Sequence, residues 1–138
     1  MVSFSDPVPR CTAAGDLVFP GHIGIIYQAS NAEYLGRTAR RRILLLPDGR
    51  VLSERALSKV RGDEQGHAYV ERELVRFGPR ARRASEAGVA WLRDALHAAG
   101  VWSIVHGGNH RYAFWLGLRR RLVAVGLPAA AYPKAVAA

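Results

Sequence analysis

Proline and glycine interrupt this chain so often that no secondary-structure element has room to be long. Asp6-Pro7-Val8-Pro9, Pro20-Gly21, Pro47-Asp48-Gly49, Gly78-Pro79, Gly100 and His106-Gly-Gly-Asn-His110 punctuate it from one end to the other. Proline removes a backbone donor and fixes φ, while glycine supplies turn conformations that other residues resist, so each site ends whatever precedes it. The intervening segments suit short strands and compact helices, in an order that gives an α+β architecture rather than a βα repeat. At 138 residues the chain has the size of one domain and can bury a core without disulfides or a metal. Its 49% hydrophobic and 22% charged residues exclude a disordered or fibrous chain. The longest stretches without Asp, Glu, Lys or Arg, Leu17 to Ala32 and Ala95 to His110, fall short of the ~20 apolar residues that a membrane helix needs. Met1-Val-Ser-Phe-Ser-Asp6 lacks the basic and apolar regions of a secretory leader, and the single Cys11 has no partner, so a reducing cytoplasm is the expected setting.

Within this frame, alternation predicts a strand over Val2 to Ser5 and a lead-in from Leu17 to Phe19. A compact helix is expected from His22 to Asn31, with Ile23, Ile26, Tyr27 and Ser30 on one face and Gly24 leaving space for a close approach to the backbone. Strands follow at Glu33 to Thr38 and Arg42 to Leu46, and Pro47-Asp48-Gly49 turns the second into a hairpin with Arg50-Val-Leu52. Ser53 is a cap for a short helix to about Lys59. Two longer helices are expected, Glu64 to Phe77 over Val70, Leu74 and Phe77, and Ser85 to Ala99 over Val89, Leu92, Leu96 and Ala99. Strands at Val101 to Val105 and Tyr112 to Trp115, a helix at Leu118 to Val125 and an extended Tyr132-Pro-Lys134 complete a single unit over 1–134, with 135–138 as a fraying tail.

Charge narrows the partners. Twenty Lys and Arg face eleven Asp and Glu, a net charge of +9, and the cations are almost all arginine. Arg40-Arg41-Arg42, Arg80-Ala-Arg82-Arg83 and Arg119-Arg120-Arg121 form clusters, with Arg37, Lys59, Arg61 and Arg111 beside or between them. Guanidinium forks suit phosphate, so DNA is the expected polyanion, with Arg37, Arg40, Arg41, Arg42, Lys59, Arg61, Arg111, Arg119, Arg120 and Arg121 as candidate contacts. A GC-rich codon bias explains the same excess without any partner. Tyr112, Phe114 and Trp115 could stack on bases, although alternation in a strand favours a core role for them.

Candidate chemistry gathers near the N-terminus. Asp6 at a strand exit, His22 at a helix start and Tyr27 on that helix would meet where α/β folds place ligands, the first two as base or metal ligand and the phenol as acid. The competing reading makes Asp6 a turn cap and Tyr27 half-buried core. His106 and His110 stand four apart, but a looped backbone does not bring such a pair together as a helix would, and no third metal ligand is signalled nearby. No Walker loop, dinucleotide fingerprint or nucleophile elbow is present.

In order along the chain, Ser3-Phe-Ser-Asp-Pro7, Gly21-His-Ile-Gly-Ile-Ile-Tyr-Gln-Ala-Ser-Asn31, Tyr34-Leu-Gly-Arg-Thr38, Asn109-His-Arg-Tyr112 and Tyr132-Pro-Lys134 resemble the second half of phage Mom-type DNA-modification proteins, within the GNAT-like acyltransferase superfamily. The resemblance implies part of a mixed sheet split at a central V and acyl-CoA-dependent modification of adenine in DNA, which protects the DNA from restriction. Asp6, His22 and Tyr27 take the positions of the family's site aspartate, histidine and helix tyrosine. The segments that bind acyl-CoA in the family precede the strand at Val2, so the resemblance implies the acceptor-side half, lacking the N-terminal cofactor-binding half and completed by a second polypeptide. A late start, a split gene and a remnant kept for binding remain open, as does a non-catalytic basic DNA-binding protein.

Overall fold

A computed structural model describes residues 1–115 and 126–134. The expected helix at Leu118 to Val125, the cluster Arg119-Arg120-Arg121 and the tail 135–138 lie outside the described residues. The architecture is α+β, with small antiparallel sheets and helices, and the chain divides into two compact units. One comprises residues 1–9, 20–41 and 106–138, and the other residues 10–19 and 42–105.

The second unit holds the larger core. Strand β2 (Arg10–Cys11) pairs antiparallel with β3 (Leu17–Phe19), and the Arg10 guanidinium lies 4.1 Å from the centre of the Phe19 ring. Strands β5 (Arg41–Leu45) and β6 (Val51–Leu52) form the expected hairpin, with Leu44 opposite Leu52, and β7 (Trp102–His106) borders the other side of β5. Helix α2 (Glu54–Arg61) starts where Ser53 Oγ accepts the Ala56 N–H at 3.1 Å, as its sequence position dictates. Helices α3 (His67–Val75) and α4 (Gly88–Ala98) pack with it over Leu46, Leu52, Leu57, Val60, Val70, Leu74, Trp91 and Leu92. Each such side chain stabilises by about 1.5–3 kcal/mol on burial.

The expected stripe on α4 is partly wrong. Val89 is exposed, and the inward face is Gly88, Trp91, Leu92, Ala95 and, just beyond the helix, Ala99. Gly88 decides the phase: a Cβ there would stand 1.9 Å from the Val60 carbonyl oxygen, so only glycine lets α4 approach α2 this closely. Trp91 then turns inward and donates its Nε1–H to the Arg80 carbonyl at 3.1 Å.

The first unit is built on a sheet ordered β1-β8-β4, from β1 (Val2–Ser5), β8 (His110–Ala113) and β4 (Glu33–Arg37), all antiparallel. Register puts Ser3 and Ser5 of β1 beside Tyr112 and His110 of β8, on one face. On β4, Tyr34 pairs with Tyr112 but Arg37 with His110, so β4 carries one residue more than β8 between these pairs. This bulge, with Gly36 at φ +76°, brings Tyr34 and Arg37 to the same face, whereas strict alternation would have separated them.

The helix expected from His22 to Asn31 is shorter, with α1 spanning only Ile25–Ala29. Gly21 and Gly24 adopt φ of +73° and +79°, outside the helical region, so the segment enters as a loop. The expected apolar face also fails in part, since Ile26 and Ser30 are exposed while Tyr27 packs inward on Tyr112 and Phe114. Gly24 does permit a close approach: a Cβ there would lie 2.7 Å from Tyr112 Cε2 and 2.8 Å from Tyr27 Cδ2.

Candidate functional site

The polar face of the β1-β8-β4 sheet and the loops at its end enclose a cavity of about 830 Å3 in the first unit. Its walls are apolar and stiff, from Pro7, Pro9, Pro20, Pro133 and the isoleucines around α1. Its polar lining is His22, Arg37, His110 and Lys134, with no carboxylate among the lining residues. Two permanent cations and two imidazoles set in apolar walls favour an anionic ligand with a flat or apolar body.

Asp6 lies at the exit of β1 and fixes the loop that forms one wall. Its Oδ1 accepts the Val8 N–H at 3.0 Å and the His106 Nε2–H at 2.8 Å, and its carbonyl accepts the His22 N–H at 2.7 Å. The His106 ring is 1% exposed, and its Nδ1 accepts the Gly108 N–H at 3.1 Å. That donor leaves Nδ1 unprotonated and puts the proton on Nε2, facing Asp6. Gly108 can deliver it because φ is +95° and a Cβ would fall 2.0 Å from the Thr38 carbonyl oxygen. Both ring nitrogens of His106 are therefore engaged, and Asp6 acts first as the anchor of the Pro7-Val8-Pro9 turn.

His110 is 2% exposed and contributes to the cavity lining. Its Nδ1 is 2.8 Å from the Tyr34 hydroxyl, and an Arg37 nitrogen lies 3.5 Å from its Nε2. Burial, then the charges of Arg37 and His22, hold the imidazole below the ordinary histidine range, so it is neutral at pH 7. Tyr112, on the same face, donates to the Ile23 carbonyl and accepts from Gln28 Nε2 at 3.2 Å, and burial raises its phenol above the ordinary range. Tyr112 is fully buried, as expected of a core aromatic in a strand rather than a stacking platform.

The structure places one of the three N-terminal candidates, His22, in the cavity lining, while Asp6 is not among the lining residues and meets His22 through its backbone carbonyl. Tyr27 is in the aromatic cluster with Tyr112 and Phe114 and is not among the lining residues. Reading by sequence missed His106 and His110 as its neighbours, and missed the C-terminal segment as a wall. The extended Tyr132-Pro-Lys134 segment is pinned: Tyr132 donates to the Ala32 carbonyl at 2.8 Å, Ala130 N–H to the Tyr34 carbonyl at 2.8 Å, and Lys134 reaches the cavity. A signal existed in the prolines, four of which converge here from distant parts of the chain.

The candidate DNA contacts divide in the same way. In the first unit Arg40 and Arg41 are exposed and unpaired among the described residues, Arg37 lines the cavity, and Arg111 donates to the Arg37 carbonyl at 3.1 Å. In the second, Arg42 reaches the Ser103 hydroxyl at 3.3 Å, Lys59 is partly buried on α2, and Arg61 pairs with Glu54. Arg80 and Arg82 of the cluster Arg80-Ala-Arg82-Arg83 are committed to carboxylates. Arg80 forks onto Glu86 at 2.8 and 2.6 Å and holds that carboxyl at about 2, while Arg82 pairs with Glu71 at 2.8 Å and Asp63 at 2.5 Å. Those guanidiniums tie down the loop ahead of α4.

Among the described residues, no group of three or more His, Cys, Asp or Glu comes together as a metal site, and no helix is long and apolar enough to cross a membrane. No protein-family model matches the chain, and neither a curated protein nor a solved structure is similar to it.

Proposed function

We propose that this chain is the acceptor side of a Mom-like, GNAT-related DNA-modification enzyme, which receives an adenine extruded from the duplex into the cavity of the first unit. The observation that carries the reading is the cavity itself: it lies beside Asp6 and His22, has the volume of a small-ligand site and combines apolar walls with a cationic lining free of acids. A flipped nucleotide needs such a place, with its base against apolar surface and its phosphates toward Arg37 and Lys134. Exposed Arg40 and Arg41 would hold the flanking backbone electrostatically.

Acyl-CoA does not fit the residues in hand. A pyrophosphate cradle needs a glycine turn whose backbone N–H groups face a ligand. Gly21 lines the cavity but its side-chain direction is blocked by the Pro7 carbonyl oxygen, 2.6 Å from where a Cβ would stand, and the space beside Gly24 is filled by two tyrosine rings. The acyl donor is therefore assigned to a second polypeptide. His22, at the cavity, is the residue of the predicted set best placed to touch an acceptor; Asp6 holds the wall and Tyr27 the aromatic floor beneath α1.

The test is mass spectrometry of nucleosides from DNA of cells expressing this chain with its genomic neighbour. The reading predicts an acylated adenine that disappears with His22→Ala or Arg37→Ala. The commitment of Asp6 to a structural turn favours a second reading, a DNA-binding protein without catalysis. It predicts salt-dependent duplex binding and unmodified adenine in the same cells.

A further inference from the structure

The bulge in β4 does something that the proposed reaction has not used. By adding one residue between Tyr34 and Arg37, it directs both side chains at the same imidazole, one at each nitrogen. An arginine N–H can only donate, so the Arg37 contact at 3.5 Å marks His110 Nε2 as the lone-pair nitrogen. Nδ1 then carries the proton and donates to the Tyr34 hydroxyl at 2.8 Å. Arg37 lines the cavity and Tyr34 does not, so the Nε2 edge is the one on the cavity side.

We propose that His110 is the specificity-determining acceptor of this cavity, held between Tyr34 and Arg37 with Nε2 as its lone-pair nitrogen, so that Nε2 accepts a hydrogen bond from the amino group of a purine nucleotide. The inference rests on the proposed function, within which it assigns the residue that recognises the exocyclic amine. Tyr34 is the positioning residue: its hydroxyl, able to accept as well as donate, holds the ring at Nδ1 without lining the cavity, and the donor-only Arg37 sets the tautomer. The groups facing His110 are Tyr34 and Arg37 from β4 and His22 from the loop before α1, with Ser5 as its register partner on β1. None of these is a carboxylate, so nothing there stabilises a doubly protonated ring. The long Arg37 contact is weak enough for a ligand donor to replace or share.

Two measurements on the full chain test this. Nitrogen-15 NMR of the histidine rings at pH 7 should show His110 Nδ1 protonated and Nε2 bare, with the two tautomers mixed in Arg37→Met, which removes the donor at Nε2. Titration with deoxyadenosine monophosphate and with deoxynebularine monophosphate, which lacks only the amino group, should show a preference for the former of roughly tenfold or more, the scale of one buried hydrogen bond. His110→Leu, which removes the acceptor, should reduce that preference to near unity, and Tyr34→Phe, which frees the ring at Nδ1, should lower it. An Nε2–H or doubly protonated His110, equal binding of the two nucleotides, or binding of neither overturns the proposal. Acylated adenine in cells without amino discrimination overturns this inference alone. Discrimination with unmodified DNA overturns the transfer reading alone.

Discussion

Asp6 offers the sharpest energetic test, because a single oxygen, Oδ1, accepts from both the Val8 N–H and the His106 Nε2–H. Asp6→Ala removes that acceptor and leaves two donors. One is the Nε2–H of a ring 1% exposed, and the other is the Val8 N–H in a half-buried turn. An unsatisfied buried donor costs about 1–3 kcal/mol, so the two together predict a loss of roughly 2–6 kcal/mol. Asp6→Asn keeps an Oδ1 able to accept both bonds and loses only the charge assistance, a cost of about 1 kcal/mol. Urea unfolding at 25 °C, followed by circular dichroism, measures both variants. Equal losses in the two, or no loss in either, would refute the account of Asp6 as the anchor of the Pro7-Val8-Pro9 turn. A folded Asp6→Asn protein that modifies no DNA would separately show that the carboxylate has a chemical task as well.

Four further outcomes follow from the same reasoning. Leu74→Ala, in the fully buried center of the second unit, should cost about 2–5 kcal/mol by calorimetry or denaturant titration. Gly108→Ala combines a strained φ of +95° with a collision against the Thr38 backbone, and should disturb the His106 and His110 signals in NMR as well as lower the melting temperature. The unfolded chain protonates His110 at higher pH than the folded one, so stability is lost as pH falls below about 6.5, and His110→Gln should flatten the stability profile there. Replacing Arg40, Arg41 and Arg42 with Gln should lower the slope of log affinity for duplex DNA against log salt by about 2–3, whereas Arg82→Gln should weaken the fold and leave that slope alone.

Much of the fold was legible because it is set locally. The hairpin at Pro47-Asp48-Gly49 and the Ser53 cap follow from turn and capping chemistry carried by neighbouring residues, and both occur as expected. The misjudged elements depend on contacts far along the chain. The stripe of α4 is rotated because Gly88 must meet the Val60 backbone, and α1 starts late because Gly24 must admit the ring of Tyr112. The site shows the same division. Asp6 and His22 stood out by their positions at element ends, but Asp6 meets His106 across one hundred residues, and Tyr34 meets His110 across seventy-six. Only the sheet register and the bulge at Gly36 bring these pairs together, and a bulge of one residue leaves no periodic trace in a five-residue strand.

The arginine clusters were ambiguous for a related reason. Their charge is visible in the sequence, but their carboxylate partners are not. Arg80 and Arg82 are occupied by Glu86, Glu71 and Asp63, whereas Arg40 and Arg41 remain exposed. A net charge of +9 thus overstates how many guanidiniums are available to a polyanion.

The central claim, that the cavity of the first unit receives an adenine for modification, is tested most directly by nucleoside mass spectrometry of DNA from cells producing this chain together with its genomic neighbour. The account predicts an acylated deoxyadenosine that is lost with Arg37→Ala. An adenine pool that stays unmodified, with both proteins folded and present, would contradict it.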